Sequence, residues 1–271
     1  INYINFYFNR NDHDLVNDSE GEYANFSGDS NIFDANFDPA EALYAYYNGF
    51  FLVTGNEEAD VNSYTFLNDN TDAVVLKKTT NINGVEMDFY YMGQSFSDFS
   101  TKLLKHDENA NFLRNKMPGE MLSVITSKTG RNDIITVTDA ISDEMNINAD
   151  GWAAYTLPSE GVVVVDGSND YNFKYAIIHE LGHLFDYLNN AYSNDYNKNK
   201  TGTWDYLANE YADNIDSISS GYNVDEMRKD PKEFYATVFD LYFKSSATRA
   251  ALPDAVRKQI EIELKAFGIP F

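Results

Sequence analysis

The chain contains no cysteine. Disulfide staples, thiolate nucleophiles and thiolate metal sites are therefore all excluded, and any bound metal must be held by imidazole and oxygen donors. Histidine is nearly as scarce, at 4 in 271 residues, so an imidazole cluster has few ways to form. Positive charge is short as well: 20 Lys+Arg against 43 Asp+Glu leaves a net charge of −23. Phosphate would be repelled over most of such a surface, which argues against nucleic-acid binding. An acidic surface suits a basic substrate or partner, or serves the solubility of an exported protein. Long apolar runs are missing too. Runs such as Val162 to Val165 have the length of a strand and fall far short of a membrane span. Proline is sparse, and two of the 6 follow an Asp directly, as Asp38-Pro39 and Asp230-Pro231. Those pairs read as helix starts, an N-cap followed by the one helical position that tolerates a missing N–H.

Apolar residues make up 43% of the chain, and 20 Tyr and 19 Phe supply large anchors, enough for a sizeable core. No internal repeat or low-complexity linker is present. The chain starts at Ile1 with no recognisable leader, which reads as processed or trimmed. Residues 1–84 form a segment of their own character, β-prone at Tyr3–Phe8 and punctuated by Asn, Asp and Gly, with a helix expected over Pro39–Tyr47. His13 stands among Asn11, Asp12 and Asp14 and reads as a solvated loop histidine. Asn83-Gly84 is a hairpin dipeptide between two strand-like runs, and the domain boundary is placed there, leaving 85–271 as the second unit.

In that second unit, a helix is expected from Ser95 to Asn115, with His106 on its surface among Lys105, Asp107 and Glu108. A helix over Glu120–Ser127 and a strand over Ile134–Thr138 follow, then a turn at Gly151–Tyr155. Val162–Val165 reads as a strand buried on both faces, and it is also a candidate to line a cleft and pair with an extended peptide. Helices are expected over Trp204–Ile218, from Pro231 to Phe243 and over Asp254–Phe267, with a loop at Gly221–Arg228.

The chemistry concentrates at Tyr175–Asp186, where His179-Glu180-Leu181-Gly182-His183 lies inside an apolar helical pattern. On a helix the residues at i and i+4 share a face, so the two imidazoles can serve one tetrahedral metal while Glu180 reaches a water beside it. This is the HExxH arrangement of zinc peptidases, and zinc is the expected cofactor. A catalytic zinc needs a third protein ligand. His13 and His106 both look exposed, so a carboxylate is expected, with Glu210 and Glu233 as competitors. Glu233 also fits the N3 position of a capping box opened by Asp230. The metzincin pattern is excluded, since Asp186 and Asn189 stand where that pattern needs Gly and His. Asp186 lies one turn beyond His183, either as a partner for a ring N–H or as an exposed helix carboxylate.

His179-Glu180-Leu181-Gly182-His183-Leu184-Phe185-Asp186, followed by Pro231-Lys232-Glu233-Phe234-Tyr235-Ala236, resembles the anthrax lethal factor family of zinc peptidases, which includes the bacterial Pro-Pro endopeptidases. The resemblance covers residues 85–271. It implies an α+β fold with a zincin-like catalytic domain, a mixed sheet over the HExxH helix and a helical C-terminal half, preceded by a smaller N-terminal segment. It implies that His179, His183 and Glu233 bind one zinc ion, that Glu180 is the general base, and that Tyr222, in the loop before Glu233, stabilises the oxyanion. Tyr222 lies farther from Glu233 than the family pattern places it, and Thr237 replaces the family's second Glu. A secreted bacterial protease or toxin component acting on a protein or peptide substrate, basic or proline-containing, is what the resemblance implies, and a monomer is expected. The competing reading is a zinc-bearing but inactive binding module that engages a basic partner.

Overall fold

The computed structural model describes residues 49–52, 74–93, 96–131, 133–137, 153–158, 161–169, 171–190, 203–218 and 223–270. The expected helix Pro39–Tyr47, His13 and Tyr222 lie outside these residues. The architecture is α+β, a mixed sheet with eight helices among the described residues.

The sheet strands are β1 (Phe51–Leu52), β2 (Val74–Ile82), β3 (Val85–Gly93), β4 (Asp133–Val137), β5 (Ala154–Leu157) and β6 (Val162–Asp166), ordered β1-β2-β3-β4-β6-β5. β2 and β3 form an antiparallel hairpin in continuous register from Val74↔Gly93 to Ile82↔Val85. Its turn has positive φ at both Asn83 (51°) and Gly84 (93°), the two-residue geometry that Asn-Gly favours because it matches strand twist. The division expected at residue 84 thus falls inside one hairpin, and β1 and β2 belong to the same sheet as the later strands.

β4 pairs in parallel with both β3 and β6, and β5 closes the far edge antiparallel to β6. β6 is buried at all five positions, with Val163 and Val165 in the main core and Val162 and Val164 in a smaller cluster on the opposite face. An unbroken β-branched run is what a strand covered on both sides requires. Since both edges of β6 are occupied, it cannot accept an extended peptide. Among the described residues the outer strand on this side is β5, which includes Ala154 and Tyr155 from the segment expected as a turn.

The helices are α1 (Phe96–Lys116), α2 (Gly119–Thr129), α3 (Asn172–Asn190), α4 (Thr203–Ile218), α5 (Val224–Lys229), α6 (Pro231–Lys244), α7 (Ser246–Ala251) and α8 (Asp254–Ala266). α3 and α6 pack extensively against each other. α5 occupies sequence expected as loop, and the Asn223 side chain caps it by accepting from the N–H groups of Asp225 and Glu226. Asp230 caps α6 by accepting from Lys232 N, with Pro231 at the first position as expected.

His106 is not a surface residue: it is 1% exposed. Its ring lies edge-on to Phe50 and Phe89, Nδ1 pairs with the Tyr91 hydroxyl at 2.8 Å, and Nε2 pairs with Thr80 Oγ1 at 2.9 Å. Burial, with the nearby Lys78 cation adding to it, pushes its pKa down to about 3. The charged neighbours Lys105, Asp107 and Glu108 face solvent, while His106 lies with Leu103, Ala110 and Leu113 on the buried stripe of α1.

Candidate metal centre

α3 carries the two imidazoles because its other faces are apolar. Ile177, Ile178, Leu181, Leu184, Phe185 and Leu188 are buried, which leaves His179 and His183 one turn apart on the same stripe. Gly182 faces α6. A Cβ there would come within 3.0 Å of Phe239 Cβ and 3.1 Å of Ala236 Cα, so the missing side chain permits the close approach of the two helices. That approach brings Glu233, in the first turn of α6, onto the histidines.

Three donors meet there. His179 Nε2 and His183 Nε2 are 3.2 Å apart, Glu233 Oε2 is 3.3 Å from His179 Nε2, and Glu233 Oε1 is 3.4 Å from His183 Nε2. Ligands held by zinc at ~2.0–2.1 Å in tetrahedral geometry stand about 3.3–3.4 Å apart, so this triangle has the dimensions of one tetrahedral face. Two imidazole nitrogens and a carboxylate are also a donor set that suits a borderline divalent ion. The ligand atoms of His179, Glu180 and His183 likewise lie within 4.8 Å of one another and could hold a metal, but Glu233 makes the tighter third corner. The capping-box role for Glu233 is excluded, since its carboxylate turns to the histidines.

The electrostatics follow from the same contacts. Burial alone would lower His183, but the bond to Glu233 and the charges of Glu180, Glu233 and Asp186 together raise it. Burial would likewise raise Glu233, yet the two imidazoles hold it well below the ordinary carboxylate range.

Glu180 is 6% exposed, and its Oε2 accepts a hydrogen bond from Thr156 Oγ1 on β5 at 2.6 Å. The donors open into a pocket of about 480 Å³. Ala154, Tyr155 and Thr156 of the edge strand form one wall, α3 the floor, and Asn223, Glu226 and Met227 of the α5 segment the opposite side. Glu180, Glu226 and Glu233 line it, and no Lys or Arg does among the described residues. Thr237, one turn beyond Glu233, is buried and also lines it.

The other sequence candidates are placed elsewhere. Glu210 is exposed on α4 and is not among the residues lining the pocket. Asp186 is fully buried, which excludes the exposed-carboxylate alternative. Its charge helps to raise His183, and it adds to the effect of burial and of Glu263 in pushing the Tyr235 phenol up. Asn189 donates to Glu263 on α8 at 2.6 Å, tying α3 to the last helix. Thr156 and Gly182 carry no motif signal. Only the pairing of an edge strand with α3, and the crossing of α3 and α6, give them roles. Compared with protein-family models, the chain matches none, and no curated protein matches its sequence.

Proposed function

We propose that the protein is a zinc-dependent endopeptidase with a zincin-like catalytic domain of the anthrax lethal factor type, secreted from a bacterium as a protease or toxin component. The observation that carries this reading is the closed triangle of His179, His183 and Glu233 at the floor of an open pocket bounded by an edge strand. His179, His183 and Glu233 would hold the ion. Zinc supplies Lewis acidity, which makes water easier to deprotonate and a peptide carbonyl easier to attack.

The chain's own residues do the rest. Glu180 takes a proton from the attacking water as the new C–O bond forms, then delivers it to the amide nitrogen as the C–N bond breaks. The outer edge of β5, the last strand of the sheet among the described residues, would offer backbone N–H and C=O groups with which an extended substrate can pair, fixing its scissile bond over the floor. Glu226, beside Glu180 and Glu233 in a pocket without a lining cation, favours a basic substrate side chain. Tyr222, on the resemblance alone, is assigned to the oxyanion.

The test is metal analysis of the zinc-loaded protein together with digestion of a peptide library read by mass spectrometry. One zinc per chain and defined cleavage are expected. Glu180→Ala should retain the metal and lose at least ~100-fold in turnover. Undiminished turnover by that variant would sink the assignment, and a zinc-loaded protein that cuts nothing would favour the inactive binding module.

A further inference from the structure

We infer that Thr156 is a positioning residue: its hydroxyl, projecting from the edge strand, fixes the carboxylate of Glu180 for proton transfer. The inference rests on the peptidase reading for its catalytic consequence, and on geometry for the contact itself. By strand alternation Ala154 and Thr156 point to the α3 side of β5, whereas Tyr155 and Leu157 pack with the cluster on the other face. Thr156 Oγ1 stands 2.6 Å from Glu180 Oε2 and 3.1 Å from the Glu180 carbonyl oxygen. A hydroxyl has one proton, and the shorter contact, to an ionised oxygen, is the stronger claim on it.

With Oε2 engaged, Oε1 is the oxygen left for water. Among the described residues it has no hydrogen-bonded protein partner. A Glu side chain has three rotatable torsions, and without the hydroxyl its carboxylate would sample orientations in which neither oxygen meets the attacking water. Catalysis by a general base depends on such placement to within a fraction of an ångström. The hydroxyl also links the base to the strand that an extended substrate would join, so both sides of the reacting carbonyl are referred to one element.

A bland reading competes: Thr156 merely pins β5 to α3 through the helix carbonyl. Thr156→Val keeps the shape and deletes the donor, and Thr156→Ser keeps the donor. In the zinc-loaded full chain, Thr156→Val should lower kcat about 10- to 100-fold with KM within about twofold, and Thr156→Ser should restore kcat to within about threefold. Zinc content should remain one per chain in both. The bond itself is read without activity, by urea denaturation of the metal-free chain. Thr156→Val should lower the midpoint clearly more when Glu180 is present than in a Glu180→Ala background, where only the weaker bond to the backbone carbonyl of position 180 is left to lose. An equal shift in both backgrounds, or a kcat unchanged by Thr156→Val, overturns the proposal. If the wild-type protein cuts no peptide, the peptidase reading fails, while the two-background comparison still decides whether Thr156 holds Glu180.

Discussion

The protein buries imidazoles in two places and treats them in opposite ways. At the crossing of α3 and α6, His183 is surrounded by Glu180, Asp186 and Glu233, and those carboxylates outweigh burial and hold its pKa up. Between α1 and the hairpin, His106 meets Phe50, Phe89, the Tyr91 hydroxyl and the Thr80 hydroxyl, and burial drives it down to about 3. One environment draws positive charge to the imidazole nitrogens at the floor of an open pocket. The other keeps a neutral ring as a core residue whose two nitrogens are both paired. Burial of a histidine is thus no indication of its role, and the sign of its surroundings is.

The sharpest way to break that contrast is to remove the carboxylate that closes the triangle. Glu233→Ala leaves two imidazoles without their third partner, and zinc affinity should fall by at least ~100-fold in a chelator competition, as expected when a ligand is lost outright. Removing the His106 ring, as His106→Asn, should leave zinc affinity unchanged, because its partners Phe50, Thr80, Phe89 and Tyr91 are not among the residues that line the metal pocket. Wild-type affinity in Glu233→Ala would show that the triangle is an ion pair and not a ligand set.

The second test uses pH. Below pH 6.5 the unfolded chain takes up a proton on His106 that the folded protein refuses until about pH 3, so the unfolded state binds more protons throughout that window. Stability must therefore fall on acidification. The charged groups facing the ring are Lys78, Asp107 and Arg114, and desolvation exceeds them all. The loss attributable to His106 should reach about 2–3 kcal/mol by pH 4.5. Urea midpoints of metal-free wild type and His106→Asn, compared from pH 7 to 4.5, should converge as pH falls. His183, raised in the folded state, contributes the opposite slope in the metal-free protein: its stabilisation is full below pH 6.5 and is lost as pH rises through its folded value. Parallel curves for wild type and His106→Asn would refute the first assignment.

These contrasts also mark what local sequence reveals. The α3 pattern, the Asp230-Pro231 start of α6, the Asn83-Gly84 hairpin and the doubly buried Val162–Asp166 were legible because periodicity, caps and turn dipeptides act over a few residues. His106 was misread for the same reason. Its neighbours Lys105, Asp107 and Glu108 are charged, and its partners on the sheet, 15 and 26 residues away in sequence, show that it shares the buried stripe of Leu103, Ala110 and Leu113. From sequence Glu233 fits both a capping partner of Asp230 and a third ligand, and only the approach of α3 shows its carboxylate turned to the histidines. The strand order was illegible for a related reason. Which of β5 and β6 is the edge depends on pairing between segments, and the continuous Val run looked more suitable for a cleft than the short strand that in fact borders it. Motif signals located the donors, and long-range packing determined what surrounds them.

The finest test touches the packing that joins these donors. At Gly182 an added Cβ would sit 3.0–3.1 Å from Phe239 Cβ and from Ala236 Cα, and the latter is backbone that cannot swing aside. Gly182→Ala gains about 1 kcal/mol of helix propensity in the middle of α3, while the tight contact costs a similar amount as α6 shifts by a few tenths of an ångström. Net stability should therefore change by less than about 1 kcal/mol. Metal binding has no such compensation, because the 3.2–3.4 Å edges of the triangle widen with the helix spacing while the ion's preferred bond length does not. Zinc affinity should drop about tenfold, and a small apolar substitution on the His106 side of α1 should produce no such drop. An unaltered melting temperature with weakened zinc binding is the expected pair of readings. Unaltered binding would mean that the helix spacing does not set the ligand geometry, and that Glu233 reaches the histidines by its own side-chain freedom.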